Sequence, residues 1–105
     1  MKHFSYALSE SDINAITFAL TVLPALDFEE TEVQSDINDQ CCYSAGQKLI
    51  MHDPNITANE FRVILAALEA VQLINQGILE VDQETKKECI GYLFTVNKLL
   101  SVFNA

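Results

Sequence analysis

The chain has 105 residues, of which 50% are hydrophobic, 15 are acidic and 6 are basic, for a net charge of −9. That size and apolar content fit one folded domain with a real core, and they exclude a disordered chain. The acidic balance sets aside nucleic acid and membrane surfaces as partners, since both need clustered Lys and Arg.

Residues 1–8 hold one short apolar alternation, Phe4, Tyr6 and Leu8. This reads as an extended arm lying on the rest of the domain. Ser9 followed by Asp12 then starts a first helix over about residues 9–26, in which Pro24 lacks a backbone donor and should kink or end it. The uncharged run from Ile13 to Leu26 is 14 residues long and includes Asn14, Thr17, Thr21 and Pro24. It is too short and too polar to cross a bilayer.

A second helix is expected over about residues 28–52, opened by Asp27 with Glu30 and weakened at Gly46. Steps of four give it an apolar stripe of Val33, Ile37, Cys41, Ala45 and Leu49, with acids and amides elsewhere. It reads as an edge helix with one wet face. The clearest start signal is Thr57-Ala58-Asn59-Glu60, whose first and last side chains can cap each other's backbone amides. The third helix follows over about residues 58–76 and stops at Gly77. Asp82 caps a fourth over about residues 83–103.

These elements predict an all-α domain, an up-and-down antiparallel four-helix bundle with short links around Pro54 and from Gly77 to Val81. Turning each residue by 100° around a wheel shows unequal helices. Helices 1 and 3 carry apolar residues on two faces, and helix 4 adds Ile90, Phe94 and Val102 outside its main stripe. A monomeric bundle needs only one stripe per helix, so this surplus predicts a homodimer. Its interface candidates are Phe18, Val22, Val63, Ala66, Ala70, Ile74 and Phe94. The competing reading is a central helix wrapped by its neighbours.

The charge is uneven as well. Residues 1–53 hold nine acids and two lysines, while residues 54–105 hold six acids and four basic residues. Six carboxylates fall between Asp27 and Asp39. They lack the Gly at the sixth position and the Glu at the twelfth that a calcium loop requires. Neither His3 nor His52 follows a Glu by three residues, so a di-iron bundle motif is absent too. No metal and no cofactor is expected. The plain reading is that Glu29, Glu30 and Glu32 favour the positive end of helix 2 and that Asp36 and Asp39 sit on its solvated face. The functional reading of the same segment makes Glu29, Glu32, Asp36 and Asp39 candidates for docking a basic partner protein.

Nucleophilic catalysis finds no constellation. Cys41 and His52 share a helix face but lie ~16 Å apart along the axis. Gly46, Gly77 and Gly91 are isolated and build no phosphate loop. Three cysteines, without an apolar leader after Met1, fit reduced thiols in a cytoplasmic protein, with Cys41 and Cys89 packed inside and Cys42 pointing elsewhere as the reactive candidate. The expected function is a non-catalytic protein-interaction module. The alternative is a small-ligand-binding or regulatory domain with an apolar cavity between helices 1, 3 and 4.

Overall fold

A computed structural model describes residues 7–25 and 32–104, with side chains throughout except at residues 25 and 32–38. It is all-helical: α1 spans Glu10–Val22, a 3-10 turn follows at Leu23–Ala25, and α2, α3 and α4 span Glu32–Ile50, Ala58–Asn75 and Gln83–Phe103. Of the expected arm, Phe4 and Tyr6 lie outside the described residues, and Leu8 packs half-buried against the core. The expected start of helix 2 at Phe28 also lies outside them.

Local chemistry explains most of the ends. Ser9 and Asp12 form a full capping box, with the Asp12 amide donating to Ser9 Oγ at 3.2 Å and the Ser9 amide donating to Asp12 Oδ2 at 3.0 Å. Thr57 and Glu60 repeat the arrangement at α3, at 3.1 and 2.8 Å. Asp82 accepts from the Thr85 amide and opens α4. The α-helical part of α1 stops at Val22, where the chain tightens into the 3-10 turn around Pro24, the residue expected to kink or end it.

Two helices end in the same motif with different residues. At the end of α3 the Gly77 amide donates to the Ile74 carbonyl and the Ile78 amide to the Leu73 carbonyl, with Gly77 at φ 78°. At the end of α2 the His52 amide donates to Leu49 and the Asp53 amide to Lys48, with His52 at φ 56°. Both are Schellman closures, and both place the turning residue in the left-handed region. Glycine adopts it without a Cβ penalty, whereas histidine does not.

Packing settles where the apolar surplus goes. α3 packs against α1, α2 and α4, and α1 also meets both α2 and α4. Among the described residues α2 and α4 do not touch. α1 and α3 therefore form a central pair, with α2 and α4 packed on opposite sides of it. Helices in that position need apolar residues on more than one side. The largest fully buried side chains include Ile16 of α1, Ile64, Leu68, Val71 and Ile74 of α3, and Cys89, Val96 and Leu99 of α4. Burial pushes the Cys89 thiol pKa up, and the neighbouring Glu88 carboxylate adds to it.

This corrects much of the expected dimer interface. Val22, Val63, Ala70 and Ile74 are all buried in the chain's own core. Phe18 is half-buried and stacks on Tyr92 of α4 at a centroid distance of 4.8 Å. Only Ala66 and Phe94 remain exposed.

Register corrects the cysteines. Cys42 is buried and Cys41 only partly so, the reverse of the expectation. Successive steps of four drift by about 40° each, so a stripe from Val33 to Leu49 cannot stay on one face. The packed set is Cys42, Ala45 and Leu49, spaced three and four, which keeps to one side.

Candidate interaction surfaces

The chemistry-bearing side chains fall into two groups, those used up inside the fold and those left at its surface. Among the described residues Asp12 and Glu60 are the buried charges. Each is the third residue of its helix, each closes a capping box, and each takes a lysine from another helix. Lys98 Nζ of α4 donates to Asp12 Oδ1 at 2.6 Å. Lys48 Nζ of α2 donates to Glu60 Oε1 at 2.7 Å and to the Asn55 carbonyl at 2.8 Å. Ser44 Oγ donates to the other Glu60 oxygen at 2.5 Å.

Burial alone would raise both carboxylates. It is outweighed at Glu60 by hydrogen bonds from Lys48, Ser44 and Thr57, which hold its pKa at about 2. At Asp12 burial is likewise overcome, by Lys98 and Ser9, and the pKa lies below the ordinary range. Both groups stay ionised near neutrality and serve as ties between helices. Sequence reasoning found the Thr57–Glu60 box and the Ser9–Asp12 start but missed both lysines. The available signal was an acid at the third helical position facing an apolar surround, which needs a cation to be buried.

Apart from Ile78 in the link after α3, the exposed large apolar side chains among the described residues lie on or beside the two flanking helices. Tyr43, Ile50 and Met51 are exposed at 72%, 59% and 74% on or just beyond α2, and Ile90 and Phe94 at 57% and 83% on α4. Between α1 and α2 runs an open groove of about 290 Å³, lined by Thr17, Leu20 and Thr21 on one side and by Asp39, Cys42, Tyr43 and Ile50 on the other. A smaller hollow of about 190 Å³ lies at the α2 end, lined by Ile13, Lys48, His52 and Asp53 among others. Neither lies between α1, α3 and α4, where the expected ligand cavity was placed.

Of the acidic docking candidates, Asp39 is exposed and lines the larger groove. Glu29 lies outside the described residues, as do the side chains of Glu32 and Asp36. Among the described residues no cluster of three or more His, Cys, Asp and Glu could hold a metal ion, and no helix is long and apolar enough to cross a membrane.

No protein-family model matches the chain, and no curated protein or solved structure is significantly similar to it.

Proposed function

We propose that this chain is a non-catalytic protein-interaction module that docks a basic, partly apolar segment of a partner along α2. The observation that carries this reading is the α1–α2 groove, where Asp39 lies beside the exposed Tyr43 and Ile50. An uncovered aromatic and aliphatic side chain beside unneutralised acid supplies contact area together with electrostatic steering. At about 290 Å³ and open to solvent, the groove sits just below the roughly 300–1,000 Å³ of cavities that enclose small molecules. It suits the side chains of a segment laid along it.

Binding is favoured over catalysis by how the ionisable groups are used. The two buried carboxylates are committed to helix caps and to lysines, leaving neither poised to exchange a proton near neutrality. In this reading the short links 51–57 and 76–82 make the helices alternate in direction, and the surfaces available to a partner are those on the flanking helices.

The test is affinity capture from a native extract with the wild-type chain and with an Asp39→Lys, Tyr43→Ala variant, at two salt concentrations. The wild type should retain a basic protein that the variant releases and that added salt elutes. Retention of the same proteins by both chains would end this reading.

A further inference from the structure

Among the described residues the lysines and the arginine of this acidic chain are of two kinds. Lys48 and Lys98 are paired with Glu60 and Asp12 inside the fold. Lys86, Lys87 and Arg62 make no ion pair with another described residue. Two of those three are consecutive on α4, about two turns before the most exposed aromatic among the described residues, Phe94.

At 100° per residue, Lys86, Lys87, Ile90, Phe94, Asn97 and Ser101 fall within about 100° of the α4 circumference, and no Asp or Glu of α4 enters that arc. All six are exposed. In a chain of net charge −9 this is a positively charged, apolar stripe. The α2 face is its complement. Asp39 precedes Tyr43 and Ile50 on one helical face, and Asp36 and Glu32 lie three and seven positions earlier in the sequence. Both helices read in the same order, charge first and apolar residues after. Lys87 and Phe94 are ~10 Å apart along their axis, Asp39 and Ile50 ~16 Å, a difference that a long lysine side chain can span.

We infer that the partner received by the α2 groove is a second copy of this chain, docking its α4 stripe with Lys86 and Lys87 toward Asp39 and with Ile90 and Phe94 against Tyr43 and Ile50. The inference rests on the docking role given to that groove above. The two surfaces cannot satisfy each other within one molecule, because α2 and α4 flank opposite sides of the α1–α3 pair and do not touch among the described residues. The contact therefore joins unlike surfaces head to tail, so that a copy docked on the groove still presents its own groove to the next.

Sedimentation equilibrium decides it with two variants, Asp39→Lys, Tyr43→Ala in the groove and Lys87→Glu, Phe94→Ala on the stripe. Far-UV circular dichroism should show the wild-type helix content in both, since every substituted side chain is exposed. The wild type should associate, with its association constant falling about tenfold or more between about 0.05 and about 0.5 M salt. Each variant alone should be a monomer. An equimolar mixture should form a one-to-one complex, because each variant keeps the surface the other has lost. A groove variant that still self-associates, or a mixture that stays monomeric, overturns the inference. A monomeric wild type overturns it too, while leaving capture of a different basic protein intact.

Discussion

α2 and α3 are of nearly equal length, 19 and 18 residues, yet they hold opposite places in the molecule. α3 touches every other helix, buries eight of its residues and is closed by glycine. α2 lies on a flank, offers Tyr43 and Ile50 to solvent and is closed by a histidine held at positive φ. The difference shows that helix length says little about a helix's share of the stability. What matters is how many neighbours the helix has, and whether its ends are formed without strain.

The comparison breaks most visibly in the core. Leu68→Ala in α3 should cost about 2–5 kcal/mol in urea denaturation, because the side chain is fully buried and its truncation removes buried apolar contacts. Tyr43→Ala on α2 should stay within about 0.5 kcal/mol of wild type. Equal losses from the two would contradict the flanking role of α2.

Acid should act next, through the tie that joins the two helices. Glu60 has a folded pKa of about 2 against an ordinary value of 4.5, so its stabilisation is complete above pH 4.5 and is lost as pH falls toward 2. The loss should reach up to about 3 kcal/mol. Asp12, also lowered, adds in the same direction over the same acidic range. Glu60→Gln should flatten that part of the pH profile and leave the Asp12 contribution in place. An unchanged profile in the variant would rule out the Lys48–Glu60 pair as the source.

The smallest effects sharpen the contrast between the two helix ends. Gly77→Ala should destabilise by about 1 kcal/mol, since alanine must enter the left-handed region at φ 78°. His52→Gly should stabilise by about 0.5–1 kcal/mol, the gain from relieving the Cβ being partly offset by a freer unfolded chain. Thermal melts of the two variants should move in opposite directions.

Much of the fold was legible in the sequence because its signals are local. The Thr57 to Glu60 box, the stop at Gly77 and the Asp82 start of α4 depend on residues within one turn of each other. The lysine partners of Asp12 and Glu60 were not legible, because Lys98 stands 86 residues from Asp12 and only the packing brings them together. The same holds for the dimer candidates. A second apolar face looks alike in sequence whether a partner or the chain's own helices cover it, and for Val63, Ala70 and Ile74 the chain itself does so. His52 escaped notice as a helix stop because glycine is the usual signal there. Asp39 was picked out correctly as exposed acid, but the groove beside it needs α1, which no pattern within helix 2 can supply.

The central position of α3 also sets the order in which the molecule opens. An amide of α3 reaches water only when contacts to three helices are given up together, so its hydrogen exchange should follow global unfolding. α2 can detach from one side while the α1–α3–α4 contacts persist, so its amides should exchange through a smaller and more frequent opening.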